Sequence, residues 1–485
     1  MARSPYPLAM PDPTVQAPGA PDPTAGASLL TSIRERLPDL RMLEDEIDRE
    51  RFRRDEAPYV AADLPLAVAL PTETAQVAEL VRMAAAHRVP IVPRGAGTGM
   101  SGGANGVAGA LTIGFERMDR ILEVDEANLV AIVQPGVINA DLKRAVADRG
   151  LFYAPDPASY ESCSIGGNLS TNAGGLCCVK YGQTRESVLA LEVVLADGSV
   201  IRTGGRNLKD VAGYSLTHLM IGSQGTLGLI TEATLRLRPA PPPRSTLLAF
   251  FASVEDAGRA VAGIAAAGLG PVTLELMDRE TIAAVDDAFT LGLDREADAM
   301  LLVESDLPGD AAVTEVERAA TVCESSGASL VIRAADHQEA DWLREGRRQA
   351  YHALERLGVT RMEDVVVPRA RVAELLLRVR ELAARYDVRC ATFGHAGDGN
   401  LHPNFVFERD DPRADELTHA LSAELYAIAM ELGGSMTGEH GVGVSRAPYL
   451  EAQRGVDAVR AMRAIKTALD PLGILNPGKV LPPVA

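Results

Sequence analysis

The chain has 485 residues, enough for two or three domains with ample cores. Its formal net charge of −18 and the lack of any basic stripe exclude nucleic acid as a partner. No apolar run approaches a membrane span, and the N-terminus has no basic start followed by an apolar core, so neither a membrane-spanning segment nor a secretory leader is expected.

Residues 1–28 are rich in Pro, Ala and Gly, repeat Pro-Asp-Pro-Thr at 11–14 and 21–24, and read as a disordered tail. The spacing predicts a charged helix over 29–54, an irregular entry over 55–70 and a capped amphipathic helix over 72–87. A strand at 89–93 leads into Arg94-Gly-Ala-Gly-Thr-Gly-Met-Ser-Gly-Gly103. Five glycines in ten positions let successive N–H groups turn toward one anion. A diphosphate suits such a nest, with Arg94 and Ser101 expected near its rim; a plain flexible loop is the competing reading. Residues 97–102 also fit G-x-G-x-x-G, the dinucleotide fingerprint, but that motif needs a helix next. Asn105-Gly106 marks a turn and 110–115 reads as another strand, so the Rossmann reading is rejected.

A strand at 128–134, a helix at 139–149 closed by Gly150, and a rigid bend at 154–157 follow. A second glycine run spans 164–175, where small residues suit a flat ligand or simple turns. A hairpin turns at Asp197-Gly198 between strands 188–195 and 200–203. A third glycine corner lies at 221–228, before an alternating strand at 230–237.

Pro239-Ala-Pro-Pro-Pro-Arg244 marks a domain boundary. Beyond it, strands at 245–251, 271–277 and 300–304 alternate with helices at 254–267, 310–326 and 371–386. This pattern predicts a split βαβ sheet with helices on one face. Trp342–Arg348 reads as a helix with clustered arginine, either a solvated face or a fork for a carboxylate.

Strands at 388–394 and 401–407 form a hairpin around Gly397-Asp-Gly-Asn400, placing His395 and His402 at facing strand ends and His402 with Asn404 on one face. After a helix at 421–432, residues 435–443 read as a further strand carrying Glu439 and His440. Two imidazoles and a carboxylate leave an open position on a divalent metal; a His–Glu pair in a polar core is the alternative. The five cysteines (163, 177, 178, 323 and 390) are odd in number and lack C-x-x-C, which reads as a reduced cytoplasmic chain.

Six segments together resemble one family: 93–103, 164–168, 222–228, 394–402, 438–441 and 473–479. The chain is similar to FAD enzymes of the vanillyl-alcohol oxidase/p-cresol methylhydroxylase (PCMH) type, within their D-2-hydroxy acid dehydrogenases. The resemblance implies an α+β fold: a two-part PCMH-type FAD domain at 29–240, a ferredoxin-like cap at 241–440, and a C-terminal segment at 441–485 that returns to the flavin.

It implies that Arg94, Gly95, Ala96, Gly97, Thr98 and Gly99 hold the diphosphate, with Ser101 a further FAD contact. Pro155, Asp156, Ser164, Gly167, Asn168, Asn172, Gly174, Gly222, Gly225 and Ile230 would line the rest of FAD, with Asn476 near its ring. No histidine lies between 88 and 217, so non-covalent FAD is expected. It further implies a divalent metal, zinc or manganese, on His395, His402 and Glu439, substrate contacts from Arg347 and Asn404, and His440 as base.

The implied activity is oxidation of a small D-2-hydroxy acid, glycolate or D-lactate. Met362 stands where 2-hydroxyglutarate-specific members carry a lysine, although Arg361 is a candidate to compensate. That dehydrogenase, a flavin-free metal hydrolase and a catalytically silent flavin subunit stay open as alternatives. The implied electron acceptors are a quinone, a cytochrome, a flavoprotein, an iron–sulfur subunit or oxygen. A homodimer and peripheral attachment to a membrane through the acceptor are also left open.

Overall fold

The computed structural model describes residues 23–334 and 337–483. Residues group into two units. Among the described residues, one comprises those up to Ala173, Gln183–Ala240 and those from Glu439; the other comprises Gly174–Gly182 and those within Pro241–Gly438.

The first unit holds two main sheets. Strands Ala67–Leu70, Leu111–Gly114 and Ile91–Arg94 run parallel, with Arg41–Leu43 antiparallel at the edge. Helices Pro23–Arg36 and Thr74–His87 bury Leu29, Ile33, Val77, Leu80 and Val81 in the core of this sheet. The second sheet is antiparallel, in the order Ile121–Asp125, Val130–Val133, Leu229–Arg236, Val188–Val194, Val200–Gly204. The parallel strands Ile91–Arg94 and Leu111–Gly114 are joined by residues 95–110 without any helix, which agrees with rejecting the dinucleotide fingerprint.

Several expectations are corrected. Residues 23–28 are helical rather than tail, while residues 1–22 lie outside the described residues. The predicted helix over 29–54 breaks before Pro38, which disfavours helical geometry at Leu37; a short strand and the helix Glu46–Glu50 follow. The run 164–175 contains the helix Ile165–Thr171, capped by the Ser164 hydroxyl accepting from the Gly167 amide. The strands Ile121–Asp125 and Ala328–Arg333 and the helix Arg279–Phe289 are additional to the predicted elements.

The second unit is built on an antiparallel eight-stranded sheet among the described residues. Four strands lie in the order Ala328–Arg333, Ser245–Phe251, Ala299–Ser305, Thr273–Asp278. With crossover helices Val254–Ala266 and Asp310–Ser325 this is the split βαβ, ferredoxin-like arrangement. Arg389–His395, Asn400–Phe407 and Val359–Met362 extend the sheet.

The expectation of helices on one face is corrected. Leu248 and Phe250 pack with Ile282, Val285 and Leu343 on one side, while Leu247, Ala249 and Phe251, which alternate to the other side, are equally buried. The segment Gly174–Gly182 joins this unit because Asp306 accepts from both Lys180 and Tyr181, and Val179 lies against Gly397.

Candidate functional site

In the first unit three glycine segments and the C-terminal return are laced together. The Ser101 hydroxyl donates to the His440 carbonyl at 3.1 Å. The Gln224 carboxamide accepts from the Gly443 amide at 2.8 Å. The Asn476 side chain donates to the carbonyls of Gly103 (3.0 Å) and Gln224 (2.7 Å). His440 is therefore fastened to the glycine loop through its backbone.

The loop itself fits a diphosphate. The amides of Gly97, Thr98, Gly99, Met100 and Ser101 donate no hydrogen bond within the described structure; Ser101 is buried, and Gly97–Met100 are half-buried. Such a run of unengaged N–H groups is an anion nest. Gly97 has φ +83°, and a Cβ there would lie 2.2 Å from the Arg94 guanidinium.

That contact corrects the expected place of Arg94. Its guanidinium is buried behind the loop, donating to the carbonyls of Arg54 (2.7 Å), Arg51 and Ala104 and stacking over Phe52. It shapes the loop from the back and does not stand at the rim. Beside it lie Asp55 and Lys479, the latter donating to the Asn105 carbonyl at 3.0 Å. Burial pushes the Asp55 carboxyl up to about 6 and the Lys479 ammonium down to about 8.

Other expected FAD contacts also use their side chains internally. Asn168 accepts from Asn139 at 3.0 Å. Asn172 donates to Gln183 at 2.9 Å and accepts from the Arg185 amide. Ile230 packs in the core of the antiparallel sheet. Pro155 receives Asn139 at its carbonyl, Asp156 is buried, and Ser164 also accepts from the Ala96 amide at 3.3 Å, bringing the first two glycine runs together. Gly95 and Gly167 meet at this same seam. Gly222 and Gly225 take positive φ in the third corner, whereas Gly174 begins the segment that groups with the second unit.

In the second unit the predicted hairpin forms with Phe393 opposite His402 and His395 opposite Asn400. The two imidazole rings lie 5.3 Å apart, nearly perpendicular, and both are buried. His395 Nδ1 is 2.7 Å from Glu275 Oε1, and His402 Nδ1 is 3.3 Å from the Glu363 carbonyl. A carbonyl can only accept, so Nδ1 of His402 carries the proton and its lone pair lies on Nε2. The carboxylate imposes the same tautomer on His395. This donor set fits a divalent cation.

Arg347 is not a solvated arginine. It is buried, pairs with Glu275 Oε2 at 2.6 Å, and stacks 4.5 Å over the Phe393 ring; its Nε has no hydrogen-bond partner in the described structure. Burial pushes the Glu275 carboxyl up, but His395 and Arg347 outweigh it and hold the group below the usual carboxylate range.

The Asn404 amide donates to the carbonyls of His402 (2.6 Å) and Ala391 (3.2 Å), which fixes its orientation. Its Oδ1 is left without a partner in the described structure and can only accept, as from a hydroxyl.

Asp364 receives the Asn400 amide, the Thr437 hydroxyl and the Gly438 amide, anchoring the residue just before Glu439. A Cβ on Gly438 would lie 2.6 Å from the Asn400 side chain. The expected strand at 435–443 is corrected: an isolated bridge from Ser435 to Val366 is followed by glycine-rich turns. Glu275, Glu363, Asp364, Asp55 and Lys479 were not among the predicted site residues. Glu275 did leave a signal, a carboxylate inside the apolar strand Thr273–Asp278.

Met362 pairs with Asn404 across the sheet and so shares its face. Arg361 alternates to the other face and pairs with Asp415 at 2.9 Å. The idea that Arg361 replaces a lysine at position 362 is therefore corrected.

No helix among the described residues is long and apolar enough to cross a membrane. Residues 65–204 match the FAD binding domain family and residues 240–480 match the C-terminal domain of FAD linked oxidases. The chain is 46% identical to the glycolate oxidase subunit GlcD of Bacillus subtilis, over 86% of this chain and 89% of that one. It is 36% identical to a D-lactate dehydrogenase of Anaerostipes hadrus, over 93% and 97%. The fold matches a crystal structure of p-cresol methylhydroxylase with a TM-score of 0.81 at 16% identity, covering 96% of this chain and 99% of that one. With its glycine loops, its two-part PCMH-type domain and a ferredoxin-like cap, the chain belongs to the FAD-linked oxidases and is an FAD-dependent oxidoreductase.

Proposed function

We propose that this enzyme oxidises a small D-2-hydroxy acid, glycolate or D-lactate, to the 2-oxo acid. The observation that carries the reading is the buried set His395, His402, Arg347 and Asn404, converging from one sheet face and one helix. Both imidazoles have Nδ1 engaged by an acceptor, and the Asn404 oxygen lacks a donor.

His395 and His402 would hold a divalent cation, zinc or manganese, with Glu439 as third ligand; its covalent neighbour Gly438 is anchored to Asp364. When bound, such a cation lowers the pKa of a coordinated hydroxyl. Non-covalent FAD, cradled by the amides of 97–101, supplies the two-electron acceptor for the C2–H bond. Arg347 would meet the substrate carboxylate, Asn404 Oδ1 would accept from the hydroxyl, and His440 would take the hydroxyl proton.

A short substrate is supported by Met362 on the Asn404 face, by Arg361 being held on the other face, and by the names of the two relatives. The family leaves a flavin-free hydrolase without support. We further propose that the electrons leave to a separate acceptor, a quinone, cytochrome, flavoprotein or iron–sulfur subunit.

Anaerobic addition of glycolate or D-lactate to the purified, yellow protein should bleach the flavin band near the blue. A flavin spectrum unchanged by either acid, and by other short 2-hydroxy acids, would refute the assignment.

A further inference from the structure

Glu275 sits in the middle of the strand Thr273–Asp278, between Leu274 and Leu276, and is 1% exposed. A buried ion pair is a poor stabiliser, because desolvating both charges cancels much of their attraction. An apolar residue would serve the core of this strand at least as well. The carboxylate instead divides between two partners, Oε1 at 2.7 Å from His395 Nδ1 and Oε2 at 2.6 Å from Arg347. It lies one step beyond the cross-strand pair Leu276–Gly394, so Glu275 and His395 face each other directly. Arg347 approaches from the helix His337–Arg348 and is held flat against Phe393, the neighbour of His402 across the hairpin.

We infer that Glu275 is a positioning residue that couples the cation site to the carboxylate-binding arginine. This rests on reading His395 and His402 as cation ligands. One oxygen fixes the His395 tautomer and ring so that Nε2 points its lone pair outward. The other offsets the charge of Arg347, which would otherwise repel a dication beside it. Losing the carboxylate should therefore weaken cation binding without weakening attraction for an anion, since Arg347 would be left less neutralised.

The test is zinc affinity of the FAD-loaded enzyme, measured by competition with a chelator, for wild type, Glu275→Gln and Glu275→Asp. Wild type should bind zinc and His402→Ala should not; if wild type binds none, the metal reading itself fails. Given wild-type binding, Glu275→Gln should lose 10- to 100-fold in zinc affinity, the range for carboxylates that orient a ligating histidine. At saturating zinc its kcat should fall while KM does not rise, a split that general loosening of the cap would not produce. Glu275→Asp keeps the charge but cannot reach both partners, and should lose at least threefold in affinity if Glu275→Gln does not fold. Zinc affinity within twofold of wild type in a folded variant, or a raised KM at saturating zinc, overturns the inference.

Discussion

The two units present their polar groups in opposite ways. The glycine loop of the first unit presents backbone: its N–H groups are unengaged, while the polar side chains around it, Arg94, Asn168 and Asn172, are turned into the protein. The hairpin face of the second unit presents side chains, each held by a buried acceptor or cation. The first arrangement is sensitive to gaining atoms, the second to losing them. His440 joins the first arrangement through its backbone, its carbonyl accepting from the Ser101 hydroxyl.

The sharpest way to separate the styles is His440→Ala. Loss of a general base should lower kcat by about 10²–10⁴-fold. FAD content, read from the visible spectrum of the purified protein, should stay at the wild-type level. Turnover within tenfold of wild type would remove His440 from the proton-transfer role. Loss of the flavin would mean instead that this segment serves mainly to close the cofactor cradle.

The converse experiment adds atoms to the loop. Gly97→Val places a β-branched side chain at φ +83° and drives its Cβ into the buried Arg94 guanidinium. The strain and the clash together should cost about 3–5 kcal/mol. The variant should be purified pale, with FAD lost on gel filtration, and with the zinc affinity proposed for His395 and His402 unaffected. A fully yellow Gly97→Val protein would show that the loop can reshape, and that its glycines are not what admits the diphosphate.

This contrast also explains what could be read in advance. Glycine spacing, Asp-Gly turns and two-residue alternation are local signals, and from them the loop at 94–103, the hairpin around 397–400 and the boundary at 239–244 were legible. The direction of a long side chain is not local. Arg94 follows a strand and opens an anion loop, so its charge suggests the rim; only the carbonyls of Arg51 and Arg54, some forty positions earlier, show that it points backward. Glu275 and His395 are likewise 120 positions apart, and nothing in either segment names the other. The false strand at 435–443 has a related cause. Alternation there comes from glycines needed for close approach to Asn400 and Gln224, not from pairing with a neighbour.

The smallest predicted effect concerns the charges behind the loop, and it tests whether the backbone cradle depends on side-chain chemistry after all. Asp55 is buried with Arg94 and Lys479, and Glu56, Glu116 and Asp63 act on that pair of cations from the surrounding turns. Desolvation outweighs the cations and raises the Asp55 carboxyl from 3.8 to about 6. A raised folded-state value means the folded protein holds this proton more tightly than the unfolded chain. The stability this contributes is fully present below pH 3.8 and is lost as pH rises through 6. Wild type should therefore gain between about 2 and 3 kcal/mol relative to Asp55→Asn as pH falls from 7 to 4, measured by denaturant unfolding of both proteins in parallel. Other carboxylates titrate in both proteins and cancel in the difference. Lys479 titrates at about 8, outside this window. If the difference between the two proteins is flat across that range, Asp55 is not perturbed by its burial. The cradle would then owe nothing to that carboxyl, and would stand on contacts such as the hydrogen bond from the Glu56 amide to the Gly99 carbonyl and those of the Arg94 guanidinium.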